Sequence, residues 1–351
     1  MERKMKWNEY EYKFRLKAKS EGKSETYISK WLEYSKNLVD KGLTIILSQS
    51  HFCYLVGYKP AYVYAVSNSS DKFYRCFSIP KKNGGERLIS EPLPNLKEIQ
   101  HWILTNVLEK METSPYAKAY IKGKTIKDNA RFHRGQKKLL SLDIENFFDS
   151  ISGWYVFKVF EEAGYSKPVA KLLAQLCTKK NRLPQGAPTS AMLSNIVMKD
   201  FDRTIGRYCG NRKIRYTRYA DDLAFSGDFD ERILISAVKK ELRKMNLSLN
   251  SSKTRVRVQG QQQEVTGVVV NEKMQTTKAE RRIIRQEIYY IQKFGLQSHV
   301  SRIGKEQSNY IDHLLGRISY SLFINPNDCE MKEYKSFMVQ QKKLLCKNKK
   351  E

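Results

Sequence analysis

The stretch Ile214-Arg-Tyr-Thr-Arg-Tyr-Ala-Asp221-Asp222-Leu-Ala-Phe-Ser-Gly227 decides the fold. Apolar and aromatic residues flank two adjacent acids, and this pattern predicts a strand, a tight turn and a second strand. A hairpin turn normally contains Asn-Gly or Asp-Gly. Two neighbouring carboxylates repel each other, so both stay ionised only if a positive charge lies nearby. The alternative is a solvated acidic turn, against which the apolar neighbours Tyr219, Leu223 and Phe225 argue.

A third acid follows another apolar run, in Lys138-Leu-Leu-Ser-Leu-Asp143-Ile-Glu-Asn-Phe-Phe148. The run predicts a short buried strand that ends at Asp143, where a carboxylate is costly unless a cation or donor compensates it. As an alternative, Asp143 could cap a helix that begins at Ile144. Carboxylates at the ends of adjacent strands form an oxygen-rich site suited to Mg²⁺. Two such ions, about 3.5–4 Å apart, support nucleotidyl transfer.

The composition indicates a polyanionic partner. Among 351 residues there are 64 Lys and Arg against 37 Asp and Glu, which gives a net charge of +27. With 21 Tyr and 15 Phe, the chain has the phosphate-neutralising and base-stacking residues typical of nucleic-acid binding. The alternative, a protein that is merely basic, is disfavoured because so large an excess charge repels itself. At about 150 residues per domain, the length predicts two or three domains.

Other classes of protein are excluded. The six Cys are scattered without a C-x-x-C pair, which disfavours a zinc site or a disulfide framework and fits a reducing compartment. The N-terminus has charges but no apolar stretch behind them, unlike a secretory signal. The longest apolar runs are far shorter than the ~20 residues of a membrane helix. We therefore expect a cytoplasmic protein with no membrane partner.

Three segments together resemble the palm motifs of reverse transcriptases. They are Leu-Asp-Ile-Glu-Asn-Phe-Phe at 142–148, Leu-Pro-Gln-Gly-Ala-Pro-Thr-Ser at 183–190 and Tyr-Ala-Asp-Asp at 219–222. Each is moderately specific, and their order along the chain makes the set strong. The segment at 183–190 predicts a Gly/Pro turn that opens a helix at Thr189 or Ser190, and by itself it could be an ordinary helix-capping turn.

Two further segments resemble the retron branch of that family. Asn129-Ala-Arg-Phe-His133 is similar to its N-A-x-x-H stretch, and Val265-Thr-Gly267 is similar to its V-T-G stretch. The whole resemblance runs from about Phe73 to about Lys293. The first ~50 residues and the C-terminal tail contain no motif that we can place.

The resemblance implies an α+β fold: a right-hand polymerase with fingers, a ferredoxin-like palm and a helical thumb. The predicted boundaries are 1–50 for a basic helical extension, 51–138 for the fingers with part of the palm, 139–275 for the palm with inserted fingers helices, and 276–351 for the thumb and basic tail.

The resemblance also implies the catalytic residues. Asp143 and Asp221 would bridge two Mg²⁺ ions, and the carbonyl of Ile144 would complete one coordination sphere. Asp222 would matter more for the geometry and the electrostatic field of the site than for direct ligation of a metal ion. Lys253, in Leu249-Asn-Ser-Ser-Lys253-Thr, resembles the lysine that assists pyrophosphate departure as an acid. From the sequence alone this segment is a basic loop.

The expected nucleotide contacts come from three places. Phe148 resembles the aromatic that excludes a 2′-hydroxyl, although a core role is the alternative and Phe147 is the natural core residue. Gln185 and Gly186 resemble the family's contact with the nucleotide and base pair, glycine allowing close approach. Lys81 or Lys82 and Arg87 of the hairpin Ile79-Pro-Lys-Lys-Asn-Gly-Gly-Glu-Arg87 would hold the triphosphate. The alternative for these cations is a solvated basic hairpin.

The expected RNA contacts have less obvious chemistry. Asn129, His133 and Val265-Thr266-Gly267 would help recognise the RNA by resemblance, although a lone His is usually structural. A basic helix should grip the duplex as the thumb, through Lys278, Arg281, Arg282 and Arg285.

In function, the resemblance implies an RNA-directed DNA polymerase that extends DNA with deoxynucleotides on its cognate non-coding RNA. That RNA would be template and primer, giving a branched RNA–DNA hybrid (msDNA) used in antiphage defence. A host RNase H and an effector or toxin protein are the expected partners. Two alternatives stay open: a group II intron-like or other defence-associated reverse transcriptase, and a catalytically silent RNA-binding scaffold.

Overall fold

Helices alternate with short antiparallel strands, as the sequence predicts for the α+β class. The computed structural model describes residues 7–81, 84–304 and 307–348. Two compact units are built from separate segments. The first contains the residues up to Lys122, Asp143–Arg207 and Ile235–Asn250, and the second contains Gly123–Leu142, Tyr208–Leu234 and the residues from Ser251. In the described ranges, no helix combines the length and apolar character needed to cross a bilayer.

The first unit begins with a helical pair, α1 (Trp7–Ser20) and α2 (Glu25–Asp40). The Ser24 side chain caps α2 by accepting the Tyr27 N–H at 3.2 Å. The aromatic residues Trp7, Tyr10 and Phe14 of α1 pack against the buried Ile28 and Leu32. This basic segment is therefore helical over the ranges of α1 and α2.

A β-hairpin follows, formed by β1 (Tyr74–Pro80) and β2 (Glu86–Pro92). The strands are antiparallel, with Ile79 opposite Arg87. Gly84 and Gly85 have φ of 83° and 77°, the left-handed conformation for which glycine is suited. The predicted hairpin turn is confirmed.

The other secondary-structure elements of the first unit are helices. The buried side-chain amide of Gln100 joins three elements of this unit, because it donates hydrogen bonds to the Tyr74 hydroxyl and the Leu176 carbonyl, both at 2.8 Å. The helices are α3 (Gln49–Val56), α4 (Pro60–Asn68), α5 (Pro94–Asn106), α7 (Phe147–Ser150), α8 (Gly153–Ala163), α9 (Lys167–Cys177) and α10 (Ser190–Val197). Two more, α11 (Lys199–Gly210) and α12 (Glu231–Lys244), extend across the boundaries of the segments.

The second unit contains a four-stranded sheet in the order β4-β5-β3-β6. Its strands are β3 (Lys138–Asp143), β4 (Arg215–Tyr219), β5 (Asp222–Gly227) and β6 (Arg255–Val258), and the last residue of β3, Asp143, is grouped with the first unit. A smaller antiparallel sheet contains β7 (Glu264–Val265), β8 (Val268–Val269) and β9 (Gln275–Thr276).

One short helix of this unit, α6 (Ile126–Phe132), begins with a reciprocal capping box between Thr125 and Asp128. Its Ala130 packs in a core with residues of both sheets and with Ile324. That core contains Ala130, Leu139, Ala224, Val265, Val268, Val270 and Ile324.

The last part of the second unit is helical, as predicted from Lys278 onward. Its helices are α13 (Lys278–Phe294), α14 (Leu296–Arg302), α15 (Gln307–Ile324) and α16 (Cys329–Asn348). Thr277 caps α13 by accepting the Glu280 N–H at 3.3 Å. Ile284, Ile288 and Ile291 recur at helical spacing and face a core shared with α14, α15 and α16.

Candidate active site

The hairpin of β4 and β5 presents two consecutive acids at its tip. Tyr219 pairs with Asp222, which leaves a two-residue turn of Ala220 and Asp221. Ala220 has φ of 58°, a conformation that costs a non-glycine residue free energy. The guanidinium of Arg218, which has no accessible surface, donates to the Ala220 carbonyl at 3.2 Å and supports this strained turn.

The hairpin below the tip is rigidly packed. Tyr216 and Phe225 stack with their ring centroids 4.9 Å apart, and Leu223 is fully buried. The predicted strand, turn and strand are thus present, and the two acids stand on a well-packed support.

Asp143 is the last residue of β3, the strand next to β5 in the sheet. It is only 6% exposed, so the buried carboxylate expected from the sequence is present. The backbone here is fixed by the loop after α12: the Asn250 N–H donates to the Asp143 carbonyl at 2.8 Å, and Ile144 forms an antiparallel bridge with Leu249. The helix that follows starts at Phe147, three residues after the position that an Asp143 cap would require.

Carboxylate and backbone carbonyl oxygens are hard donors, and this chemistry fits Mg²⁺. Among the described residues, no group of three or more His, Cys, Asp or Glu side chains is arranged to hold a metal ion by itself. Mg²⁺ commonly takes one or two protein carboxylates and completes its octahedron with water and substrate phosphates. The chemistry of these oxygen donors therefore fits Mg²⁺.

Two adjacent phenylalanines follow Asp143 in α7, with ring centroids 5.5 Å apart. Phe147 is 4% exposed and belongs to the core, whereas Phe148 is partly exposed. This difference in exposure is the one expected if Phe147 is a core residue and Phe148 contacts the nucleotide.

The turn at 183–190 contacts the β1–β2 hairpin within the first unit. The Ser90 N–H donates to the Gln185 carbonyl at 2.8 Å. A Cβ on Gly186 would lie 2.9 Å from Ile89 Cγ2 and 3.0 Å from the Ser90 carbonyl oxygen, and its φ is 120°. Glycine is thus required here by contact with β2, a reason that the sequence did not reveal. The helix after the turn begins at Ser190.

The cations of the β1–β2 hairpin lie at its solvent-exposed end. Arg87 on β2 is exposed, and so is Lys81, whose N–H donates to the Gly85 carbonyl at 2.9 Å. Lys82 lies outside the described residues. Lys253, in a short 3₁₀ turn over Ser251–Lys253, is also exposed.

A cysteine on β1 has an unusual environment. Cys76 is exposed, and its Sγ lies 2.7 Å from Lys179 Nζ and 3.6 Å from Ser90 Oγ. The hydrogen bond from Lys179, followed by that of Ser90, lowers the pKa of the Cys76 thiol. The thiolate is the nucleophilic form, so this thiol is activated.

We expect Cys76 to be alkylated by iodoacetamide at neutral pH faster than the exposed Cys329. Because Lys179 stabilises the thiolate, Lys179→Gln should slow the reaction at Cys76 and raise the pH at which its rate reaches half of the plateau. Peptide mass spectrometry over time gives both rates in one sample. An unchanged Cys76 rate in the Lys179→Gln protein would contradict the assigned environment.

The structure places Asn129 and His133 in the interior of the second unit. Asn129 is 1% exposed and His133 is 0% exposed, and both form hydrogen bonds with protein side chains. This burial argues against direct RNA contact by either side chain. The alternative given above, that a lone His is usually structural, agrees with this placement.

In the segment Val265-Thr-Gly267, Val265 ends β7, and Thr266 and Gly267 form the turn to β8. Val265 belongs to the core, whereas Thr266 is half-buried and Gly267 is exposed. Thr266 and Gly267 have φ of 47° and 83°. No atom lies within 4 Å of a Cβ built on Gly267, so glycine is favoured there by backbone conformation and leaves an open surface.

Two of the four predicted thumb cations are held by acids of the same unit. Arg281 forms ion pairs with Asp328 and, at 2.6 Å, with Glu330, and Arg285 pairs with Glu330 at 2.7 Å. The hydrogen bond from Arg285 lowers the pKa of Glu330. Lys278 and Arg282 are exposed, and Arg285 is exposed as well despite its ion pair. The sequence could not separate these cations, because Asp328 and Glu330 lie 47 and 49 residues beyond Arg281.

Comparison with known proteins agrees with the motifs. The profile of the family described as reverse transcriptase (RNA-dependent DNA polymerase) matches residues 79–271. Retron Ec86 reverse transcriptase of Escherichia coli is 34% identical over 266 residues, covering 73% of this chain and 78% of that protein. Retron Mx65 reverse transcriptase of Myxococcus xanthus is 32% identical over 280 residues, covering 74% and 63%. Retron Ec83 reverse transcriptase of Escherichia coli is 32% identical over 281 residues, covering 75% and 86%.

Proposed function

Because this chain belongs to the retron reverse transcriptases, we propose that it copies its own structured non-coding RNA into DNA and yields a branched RNA–DNA hybrid (msDNA). RNA-directed DNA synthesis follows from the family. The observation that supports the active site is the sheet order: β5 begins with Asp222, the preceding turn contains Asp221, and the neighbouring strand β3 ends at Asp143.

Reverse transcriptases use divalent metal ions, and we propose two Mg²⁺ ions here. Asp143 and Asp221 would hold both ions, the carbonyl of Ile144 would add one ligand, and Asp222 would shape the site and its field. When bound, the ions supply activation of the attacking hydroxyl and stabilisation of the leaving pyrophosphate. The protein holds these donors in place through the Arg218–Ala220 and Asn250–Asp143 hydrogen bonds.

The incoming deoxynucleotide would lie between the hairpin cations and the loop at Gln185. Arg87, with Lys81 or Lys82, would bind the triphosphate oxygens, because a guanidinium matches them with two parallel donors. Gln185 and Gly186 would contact the nucleotide and base pair, and Lys253 would donate a proton to the departing pyrophosphate.

Phe148 is proposed as the residue that excludes ribonucleotides. Its partly exposed ring would occupy the space that a 2′-oxygen needs, so Phe148→Val should raise incorporation of ribonucleotides relative to deoxynucleotides by about 10-fold or more. Single-nucleotide extension with each substrate measures the ratio of kcat/KM. Phe147→Val is the control: it should lower the melting temperature without changing this ratio. An unchanged ratio in Phe148→Val would move the role elsewhere.

For the RNA, the exposed surfaces are the better candidates among the residues predicted from the sequence. We propose contacts from Thr266 and Gly267 of the β7–β8 turn, where RNA could approach the backbone and be read by shape and 2′-hydroxyls. Lys278 and Arg282 of α13 would contact the duplex phosphates. Arg281 would act mainly by joining α13 to the start of α16 through Glu330, whereas the exposed Arg285, although paired with Glu330, would also contact the duplex phosphates.

The biological setting is proposed from the family resemblance alone. The RNA would serve as both template and primer, a host RNase H would trim it, and an effector or toxin protein would use the hybrid in cytoplasmic antiphage defence. Purification of the protein from cells that encode its RNA tests this. Branched nucleic acid should copurify, and its RNA and DNA strands should stay joined under denaturing conditions until the 2′–5′ linkage is cut.

Metal-dependent extension of a primed RNA template separates the proposal from its rivals. A silent RNA-binding scaffold would bind the RNA and leave the primer unextended with any divalent ion. A group II intron-like enzyme would extend an unrelated RNA as well as its own, whereas a retron enzyme should prefer the RNA encoded beside it.

A further inference from the structure

A buried histidine joins the two strands that carry the acidic turn. His133 caps the C-terminal end of α6 and has no accessible surface. Its Nδ1 lies 2.7 Å from Ser226 Oγ, and its Nε2 lies 2.7 Å from Thr217 Oγ1. Both hydroxyl groups are themselves buried. One imidazole ring therefore bridges β4 and β5 from outside the hairpin.

The hydrogen atoms in this network can be assigned. Thr217 donates its hydroxyl hydrogen to Asn129 Oδ1 at 2.6 Å, because that amide oxygen can only accept. Thr217 Oγ1 must then accept the hydrogen on His133 Nε2. If the ring is neutral, with its hydrogen on Nε2, Nδ1 accepts the Ser226 hydroxyl hydrogen, and if the ring is protonated, Nδ1 donates to Ser226 Oγ instead. Each of these three contacts thus has one donor and one acceptor.

The bridged positions are spaced symmetrically about the acids. Thr217 is four residues before Asp221, and Ser226 is four residues after Asp222. In the register of the hairpin, Arg215 faces Ser226 and Thr217 faces Ala224, so Thr217 and Ser226 project from the same face. We name the set Asn129, His133, Thr217 and Ser226 the histidine clamp.

We propose that the histidine clamp fixes the position of the acidic turn, with His133 as a positioning residue for polymerisation. This inference rests on the proposed catalytic role of Asp221 and Asp222. Buried polar networks whose members are all satisfied select one arrangement of the elements that they join, whereas apolar contacts tolerate small shifts. Polar groups that orient metal ligands act in the same way.

The clamp also gives a physical role to the N-A-x-x-H segment. Asn129 supplies the acceptor for Thr217, Ala130 packs in the core, and His133 supplies the bridge. The Asn129 amide also donates to Thr266 Oγ1 at 3.4 Å, in the turn that we propose to contact RNA. The segment therefore links the β7–β8 turn to the β4–β5 hairpin inside one unit.

The test compares His133→Phe, His133→Gln and Thr217→Val with the unmodified protein in the full chain. Mutation of groups that orient metal ligands typically costs about 10–100-fold in activity or metal affinity, so His133→Phe should lower kcat at saturating RNA and deoxynucleotide by about that factor. It should also raise the Mg²⁺ concentration that gives half of the maximal rate. The dissociation constant for RNA should not change.

Two further variants distinguish a loss of positioning from a loss of folding: a conservative substitution at His133 and a double substitution. His133→Gln keeps an Nε2–H donor for Thr217 and should recover part of kcat. Thr217→Val should resemble His133→Phe, and the double variant should lose much less than the product of the two single losses, because both remove one network. Ile324→Val, in the core of the same unit, is the control that lowers the melting temperature but keeps the clamp.

Three results would overturn the proposal. They are an unchanged kcat and Mg²⁺ dependence in His133→Phe, a weaker RNA affinity with kcat unchanged, and an equal loss of kcat in an Ile324→Val protein of matched melting temperature. Asp221→Asn in the same assay tests the proposed function independently. If it stays active, the catalytic assignment fails, whatever His133 does.

Discussion

Asp221→Asn is expected to reduce primer extension on an RNA template by about 10³-fold or more, since metal ions contribute several kcal/mol and each 1.36 kcal/mol is tenfold in rate. Asparagine keeps the size of the side chain and removes its charge, so the hairpin should remain folded. Asp222→Asn should also impair extension, because it changes the geometry and the electrostatic field of the site. RNA affinity should stay near that of the unmodified protein. Extension with excess Mg²⁺, followed by electrophoresis, measures the loss, and fluorescence anisotropy measures RNA binding.

Asp228→Asn is the matched control for this prediction. Asp228 lies just after β5, is largely exposed and pairs with Lys137 at 3.0 Å. Exposed pairs contribute little to stability, so this variant should extend primers at the normal rate. Retained extension by Asp221→Asn, or equal loss in Asp228→Asn, would remove the basis for placing catalysis at the hairpin tip.

RNA affinity is expected to fall by about 10³-fold or more between 50 and 200 mM salt, provided that at least six phosphates are neutralised. The excess of 27 positive charges supplies the cations for such a contact. The slope of the logarithm of the binding constant against the logarithm of salt concentration reports how many phosphates are contacted. Binding titrations at four or more salt concentrations determine it.

Two neighbouring arginines on α13 refine this prediction. Arg282 is exposed, so Arg282→Gln should reduce the magnitude of the salt slope by about one. Arg281 is bound by Asp328 and Glu330, so Arg281→Gln should instead lower the melting temperature and leave the slope nearly unchanged. A shallow slope in the unmodified protein, or equal slope changes in both variants, would contradict the proposed nucleic-acid surface.

Local features of the fold could be predicted because short-range chemistry determines them. The glycines of the β1–β2 turn, the apolar periodicity of α13 and the strand–turn–strand around Asp221 and Asp222 are readable without any partner. The separation of Phe147 as core from Phe148 as a more exposed ring agrees with the sequence interpretation. The four predicted domain ranges remain predictions.

Partners distant in sequence could not be predicted. Gly186 is needed against Ile89 and Ser90, and Arg281 is neutralised by acids that follow α15. For the N-A-x-x-H segment, resemblance suggested RNA contact, whereas the structure buries Asn129 and His133 among side chains of the hairpin.

The sequence by itself determined the family, the acidic turn and the elements that carry it, because motif order and local propensity are properties of neighbouring residues. Only the tertiary structure decided which cations stay exposed and which polar groups are buried. His133 meets Ser226 across 93 residues of chain and Thr217 across 84. Such contacts depend on how separate segments pack, and no spacing within one segment encodes them.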